Sequence, residues 1–252
     1  MDKLNDFDSF IFTHVPKCGG TSFRNFLNDS ALFSGLDKND IYIPGENGLS
    51  IQKNIKQLNR VELNKFKRNK FNVLGLHSPF GFHKEYQPDI QNPFYFIMLR
   101  DPILRYISHY NFFNQKLGYN GCRGISLNSL ELDKFAYLTA IHGNLMVKYI
   151  LDLDFNSILS DPMLMVEAKQ RLISSYDQFG LVENMNKTVK ILRAHGPKWL
   201  QWLAVFPKLN ASVVSKVFQL PDSKLELLAN NNKLDIGLYD FAVTRFNQIL
   251  ID

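Results

Sequence analysis

The alternation of short apolar runs with helix-like patterns is the feature that most limits how this chain can fold. Four runs have the apolar, β-branched and aromatic composition of buried strands: residues 9–15, 71–77, 93–100 and 178–183. Amphipathic patterns predict helices at residues 22–28, 51–70, 102–116, 130–151, 162–175 and 184–195. Because strands that alternate with helices form a parallel sheet wrapped by helices, we predict one α/β domain over residues 1–252. It should hold about four to five parallel strands, flanking helices and a helical C-terminal part.

The composition indicates a globular protein that suits an anionic ligand. Of the 252 residues, 45% are hydrophobic, which is enough to bury a substantial core. The net charge of +5 favours an anionic substrate without selecting one. The two cysteines, Cys18 and Cys122, stand in no metal-ligand spacing, and their low number fits a reducing compartment. We therefore expect no metal.

The N-terminal segment and the hydropathy pattern bear on location and partners. MDKLNDFDSF has no apolar signal-peptide region, and no apolar run approaches the roughly 18 residues of a membrane span. No basic and aromatic pattern typical of nucleic-acid binding is present. We expect a cytoplasmic protein with no membrane span and no nucleic-acid partner, while the oligomeric state stays open.

The turn after the first predicted strand has the composition of an anion site. In HVPKCGGTSF, Gly19 and Gly20 allow backbone N–H groups to approach an anion closely. The helix that follows adds its dipole and its free N–H donors. Lys17 adds a positive charge, and Thr21 and Ser22 add hydroxyls, one of which can cap the helix. A plain strand–helix turn requires none of this combination.

A second polar cluster follows the third predicted strand, in LRDPILRYISHY. Asp101 and Pro102 are typical of a helix start. Arg105 and Ser108 are three residues apart and so share a helix face, just after Arg100. An arginine fork with a hydroxyl suits a dianionic phosphate.

Three of the predicted strands end in basic or titratable residues. Lys17 follows the first strand, His77 the second and Arg100 the third. Because ligands of open parallel sheets bind beyond the carboxyl ends of the strands, we expect these side chains to share one crevice. Lys17 precedes the glycines, whereas the lysine of an ATP-binding P-loop follows them, which argues against a nucleoside triphosphate kinase.

Two other functions are compatible with parts of this pattern. Cys18 and Arg24 have the C-x₅-R spacing of cysteine-dependent phosphatases, in which a thiolate near a helix N-terminus is the nucleophile. The basic crevice could also serve a non-catalytic nucleotide- or polyanion-binding protein. The first alternative leaves Lys17, Arg100 and Ser108 without a role.

Taken together, the two clusters resemble the 3′-phosphoadenosine 5′-phosphosulfate (PAPS)-dependent sulfotransferases. HVPKCGGTSF resembles their 5′-phosphosulfate loop, H-[IV]-P-K-[TC]-G-G-T-S, and RDPILRYISHY their 3′-phosphate motif, R-D-P-x-x-R-x-x-S-x-[YF]. GLHSPFGFH is similar to the segment that bears their catalytic histidine. FGLVENMNKTVKIL and DIGLYDFAVTRF extend the resemblance to residues 10–247. It points to the branch of the heparan sulfate 2-O-sulfotransferases and bacterial relatives, which implies a P-loop-like fold.

The resemblance implies roles for individual residues. The 5′-phosphosulfate would be held by residues of the first motif: Lys17, Cys18, Gly19, Gly20, Thr21 and Ser22. Arg100 and Ser108 would bind the 3′-phosphate, with Arg105 assisting. His77 would be the catalytic base. One residue separates it from the preceding glycine, unlike the common family pattern, so His83 is the alternative base.

The resemblance also implies a reaction and its partners. A sulfuryl group would pass from PAPS to a hydroxyl acceptor, a glycan or glycolipid, leaving adenosine 3′,5′-bisphosphate. Lys17 would stabilise the leaving group, and no metal would be required. The basic residues of 53–70 could grip an anionic glycan, and the glycine-rich residues 118–129 could close over it. Both segments also fit a solvated helix face and an inert loop.

Overall fold

The computed structural model describes residues 7–43, 64, 67, 71–117, 124–202 and 220–249. Five strands form one sheet: β1 Ser9–Thr13, β2 Ile41–Tyr42, β3 Val73–Leu76, β4 Pro93–Leu99 and β5 Gln178–Leu181. Their order is β2-β3-β1-β4-β5, and all four pairings are parallel. The predicted parallel sheet of an α/β fold is therefore confirmed.

Helices account for most of the remaining described chain. Their bounds are α1 Gly20–Phe33, α2 His83–Tyr86, α3 Pro102–Leu117, α4 Leu132–His142, α5 Leu145–Leu151, α6 Met163–Ser174, α7 Met185–His195, α8 Asp222–Asn231 and α9 Lys233–Gln248. The helical C-terminal part is thus confirmed. The extent of the single domain stays a prediction, and none of the described helices combines the length and apolar character needed to cross a membrane.

Consecutive residues of the central strands are buried, which requires that both faces of the sheet are covered. All five residues of β1 are buried, and so are the last six of β4. Aromatic rings fill much of this core: Phe12 packs edge-on against Phe23, with ring centroids 4.8 Å apart, and Phe10 packs on Trp199 at 5.7 Å. The register pairs Thr13 with both neighbouring strands, so β1, β3 and β4 end at one edge of the sheet.

Three details of the predicted elements are wrong. The helix predicted at residues 22–28 is longer, since α1 runs from Gly20 to Phe33, and β2, which pairs with β3, was not predicted. A strand of two residues is too short to show a periodic pattern. The helix expected over 130–151 is broken between α4 and α5, where Asn144 has a left-handed φ of 51°. Gly143 lies against the backbone of Asn231 there, with no room for a side chain.

Two side chains lock the N-termini of α5 and α9 together. The side-chain oxygen Oδ1 of Asn144 accepts from the N–H groups of Leu234 and Asp235, at 3.0 and 3.1 Å. In return the Asp235 carboxylate accepts from the N–H groups of Met146 and Val147. Each helix therefore satisfies free N–H donors of the other, which fixes α9 against α5.

Candidate functional site

Two positions in the turn after β1 require glycine for different reasons. Gly19 is the N-cap of α1 and has a φ of 70°, in the left-handed region that favours glycine. A Cβ on Gly20 would lie 1.4 Å from Nε2 of His14, so no larger residue fits there. The predicted cap by Thr21 or Ser22 is therefore wrong, because α1 already begins at Gly20 and its N-cap is Gly19. The side chain of Thr21 lies outside the described part.

The N-terminus of α1 has the properties of an anion site. The helix is 14 residues long, and no acidic residue in its first turn offsets the positive end of its dipole. Lys17 lies just before it with a φ of 69°, a backbone conformation that is rare for lysine. The turn therefore aims backbone N–H donors and a nearby ammonium group at the edge of the sheet.

The two predicted motifs are in direct contact. Nη1 of Arg100 donates a hydrogen bond of 2.9 Å to the carbonyl oxygen of Lys17, across 83 positions of sequence. The buried Nε of Arg100 has no hydrogen-bond partner among the described residues. The guanidinium thus holds the turn at residues 14–19, called the lysine turn below, through Nη1. Its Nε–H remains without an acceptor in the described part of the chain. A phosphate would satisfy that donor, so the site fits an anionic ligand that spans both motifs.

Lys17 also contacts helix α3. Its Nζ lies 4.2 Å from the centroid of the Phe112 ring, in a cation–π contact. Phe112 was not predicted as a site residue. It lies four positions after Ser108 and therefore on the same helix face, and this spacing was the signal that could have revealed it.

Helix α3 places Arg105 and Ser108 differently. Asp101 starts the helix as predicted, because its carboxylate accepts from the N–H of Leu104 at 2.8 Å. Both side chains are buried, but Ser108 keeps 8% of its surface exposed, whereas Arg105 is completely buried. Nη2 of Arg105 donates to the carbonyl oxygen of His142 at the end of α4. Arg105 therefore has a structural contact of its own, and its predicted help in phosphate binding stays a prediction.

His77 follows β3 at the same edge and has a defined tautomer. Its Nδ1 lies 2.7 Å from the carbonyl oxygen of His14, which can only accept, so Nδ1 carries the proton. Nε2 therefore carries the lone pair; it is buried and makes no hydrogen bond to any described residue. The His14 ring stacks on His77, with centroids 3.8 Å apart. This arrangement suits a group that receives a proton at Nε2.

The electrostatic surroundings keep His77 neutral. Burial, followed by the charge of Arg24, lowers its pKa to about 3, although the hydrogen bond to His14 acts in the opposite direction. Burial and the neighbouring His77 likewise lower the pKa of His14. His77 is thus unprotonated at neutral pH. An anion bound beside Lys17 would raise its pKa and strengthen it as a base.

The alternative base, His83, has other contacts. It lies in α2, and its Nδ1 is hydrogen-bonded to the hydroxyl of Tyr95. That hydroxyl also accepts from the N–H of Gly81 at 3.1 Å. These hydrogen bonds therefore tie His83 to the middle of β4, whereas Nδ1 of His77 is bonded to His14, directly after β1. The geometry favours His77 as the base.

Cys18 is a poor candidate for a nucleophile. Its side chain is completely buried, and this burial raises the pKa of its thiol to about 12. Arg24 lies within α1 rather than in the turn, and it is only 4% exposed. A thiolate is therefore strongly disfavoured, and the arrangement argues against a cysteine-dependent phosphatase.

Other parts of the predicted site lie outside the described residues. This holds for Cys122, for residues 118–123 of the glycine-rich loop and for all of the basic segment 53–70 except residues 64 and 67. Among the residues that the structure describes, no three His, Cys, Asp or Glu side chains cluster as metal ligands would.

The histidines predict a steep loss of stability in mild acid. Burial lowers the pKa of five of them: His14, His77, His83, His109 and His142. Unfolded histidines protonate near pH 6.5, so below that pH the unfolded chain binds more protons than the native protein. Each histidine then costs about 1.4 kcal/mol per pH unit until its native pKa is reached.

The summed cost of five such histidines exceeds the free energy of unfolding of a typical domain, about 5–15 kcal/mol, within a few pH units. We expect the melting temperature to fall steeply from pH 6.5 to 5 and the protein to be unfolded by about pH 4. Circular dichroism melts across this range measure it. A His83→Gln variant should show a shallower slope, and a melting temperature that is constant between pH 6.5 and 5 contradicts the expectation.

Comparison with known proteins shows which family the chain belongs to. The model of the sulfotransferase family matches residues 3–137, which include the lysine turn, His77 and the segment from Arg100 to Ser108. Heparan-sulfate 6-O-sulfotransferase 3-B of Danio rerio is 25% identical over 283 aligned positions, which cover 96% of this chain. The chain spans 64% of the length of that relative. The expected 2-O-sulfotransferase branch stays a prediction, since this relative carries another name.

Proposed function

Since the chain belongs to the sulfotransferase family, we propose that it moves a sulfuryl group from PAPS to a hydroxyl group of a carbohydrate or glycoconjugate. The observation that carries this proposal is the hydrogen bond from Arg100 to the Lys17 carbonyl. It joins a turn suited to a 5′-phosphosulfate with a helix suited to a 3′-phosphate. A doubly phosphorylated adenosine donor is the ligand class that uses both.

The donor would be held from two sides. The N–H groups at the start of α1, with Lys17 and Ser22, would bind the 5′-phosphosulfate. The free Nε of Arg100 and the Ser108 hydroxyl would bind the 3′-phosphate. When bound, the donor supplies the activated sulfuryl group, and the chain supplies its position and charge.

The chemistry assigned to the protein is proton removal and charge stabilisation. An acceptor oxygen forms a bond to sulfur while the bond from sulfur to the 5′-phosphate oxygen breaks. The acceptor proton passes to Nε2 of His77, whose lone pair is free. Negative charge grows on the departing phosphate beside Lys17 and the N–H groups of the turn. Such preorganised donors contribute about 3–4 kcal/mol each in enzymes of known mechanism.

The acceptor is proposed at the level of its class. The relative from Danio rerio is named for heparan sulfate, which supports a carbohydrate acceptor. Sulfate transfer from labelled PAPS to a panel of glycosaminoglycans, desulfated glycosaminoglycans and glycolipids tests this. Transfer to any sugar hydroxyl supports the proposal. Tight binding of adenosine 3′,5′-bisphosphate without transfer to any acceptor would instead favour the non-catalytic binder.

A further inference from the structure

Glu183 lies next to the candidate site, yet no role has been assigned to it so far. It follows β5, the neighbour of β4, in a short 3₁₀ turn at residues 182–184. Its carboxylate makes two hydrogen bonds to different parts of the fold. Oε1 accepts from the N–H of Asp101 at 3.1 Å, and Oε2 accepts from the hydroxyl of Tyr239 at 2.7 Å.

The first of these contacts reaches the phosphate-binding segment. Asp101 is the residue between Arg100 and the first turn of α3, so its N–H lies in the peptide that directly follows Arg100. Arg100 in turn donates to the carbonyl oxygen of Lys17. A carboxylate that fixes this peptide therefore fixes the guanidinium, and through it the lysine turn.

The second contact anchors the carboxylate. Tyr239 belongs to α9, which is locked onto the body of the fold through Asp235. Burial, and then the hydrogen bond to Glu183, raises the pKa of Tyr239, so its hydroxyl stays protonated and donates. Glu183 is thus a bridge between a rigid helix and the site.

The turn at residues 182–184 also packs directly against the lysine turn. A Cβ on Gly19 would lie 3.1 Å from Cγ2 of Val182 and 3.4 Å from Cε of Met185. Val182 in the turn and Met185 at the start of α7 therefore lie close to Gly19, the N-cap of α1. The short turn after β5 touches both halves of the proposed donor site.

Through its negative charge alone, Glu183 would weaken the binding of an anion at this site. A negative charge this close to a bound phosphate lowers the affinity through repulsion. Its hydrogen bonds must offset that repulsion for the residue to help binding. If replacement of Glu183 weakens nucleotide binding, the residue has a positioning role. If replacement leaves binding unchanged or strengthens it, the residue has no such role.

We infer that Glu183 is a positioning residue that holds Arg100 and the lysine turn in the geometry that binds the 3′- and 5′-phosphates of the donor. This inference rests on the proposed function. It predicts that Glu183→Ala weakens binding of adenosine 3′,5′-bisphosphate and raises the KM for PAPS, each by about tenfold, as expected for one charge-assisted hydrogen bond. The kcat at saturating PAPS should change by less than about threefold.

Two further variants sharpen the test. Glu183→Gln keeps an acceptor for the Asp101 N–H and should recover most of the affinity. Tyr239→Phe should weaken binding by less than Glu183→Ala does, and the double variant should be no weaker than Glu183→Ala alone, because both act through one carboxylate. Glu167→Ala is the matched control: Glu167 is also exposed, and it pairs with Arg171 on α6.

The outcomes separate the inference from the proposed function. Calorimetry with adenosine 3′,5′-bisphosphate is done first on the unaltered protein, and no binding there contradicts the proposed function itself. If the unaltered protein binds, equal or tighter binding by both Glu183→Ala and Glu183→Gln shows a bystander and overturns the inference. A drop in kcat with unchanged KM overturns it as well. Melting curves confirm that each variant is folded.

Discussion

Replacing His77 by alanine will lower the rate of sulfate transfer by about 10²–10⁴-fold and leave the affinity for adenosine 3′,5′-bisphosphate within about twofold. The reason is the geometry of its two nitrogens. Nδ1 is engaged by the carbonyl oxygen of His14, so the lone pair at Nε2 is the one group that the ring offers to an acceptor. Binding of the nucleotide does not require this lone pair.

His83→Ala is the matched control for this variant. The two histidines are similarly buried, at 5% and 4% exposure, and burial lowers the pKa of both. Loss of a buried ring costs stability in either case, so melting curves should shift in both variants. Only His77→Ala should lose turnover. If His83→Ala lost it and His77→Ala kept it, His83 would be the base.

The pH dependence of the reaction gives a second readout of His77. Its neutral form is the active one, and its pKa in the free protein is lowered to about 3. Because the protein is expected to unfold by about pH 4, the acid limb of kcat/KM should lie below pH 6.5 and follow unfolding rather than the titration of His77. Bound anions raise the pKa of this histidine, so the limb of kcat should lie at higher pH than that of kcat/KM.

Lys17→Ala should lower kcat by about 10²–10³-fold while weakening the binding of adenosine 3′,5′-bisphosphate by about tenfold or less. The charge on the departing phosphate grows only as the bond to sulfur breaks, so an ammonium group beside it acts mainly in the transition state. Single-turnover rates with PAPS, beside calorimetry with the product, measure both quantities.

Phe112→Leu tests how Lys17 is aimed. The leucine keeps an apolar group on α3 but removes the ring that lies 4.2 Å below the ammonium. We expect a loss of kcat that is clearly smaller than that of Lys17→Ala, with unchanged nucleotide affinity. A Lys17→Ala variant whose product affinity falls as far as its kcat would show that the lysine acts by uniform binding instead.

The strand ends were predictable because they combine two local signals. Apolar runs mark β1, β3 and β4, and a polar residue follows each of them, so the topology of a parallel sheet brings Lys17, His77 and Arg100 to one edge. The contact between Arg100 and Lys17 is the outcome that this reasoning requires. It needs no knowledge of side-chain conformations.

Unlike Phe112, the missed residues His14 and Glu183 act through contacts that no local pattern encodes. His14 falls within the predicted strand at residues 9–15, yet its carbonyl group sets the tautomer of His77 and its ring requires glycine at position 20. Glu183 meets Asp101 across 82 positions and Tyr239 across 56. Such pairings depend on how the elements pack, and a single sequence shows periodicity within elements rather than contacts between them.

The central claim is that the lysine turn and the segment from Arg100 to Ser108 hold the two ends of one nucleotide. Calorimetric affinities for adenosine 3′,5′-bisphosphate and for adenosine 5′-monophosphate test it most directly. We expect the bisphosphate to bind about 100-fold more tightly, and Arg100→Ala and Ser108→Ala to reduce that ratio, with Arg100→Ala bringing it close to one. Equal affinity for the two nucleotides, or an Arg100→Ala variant that weakens both and keeps the ratio, would contradict the account.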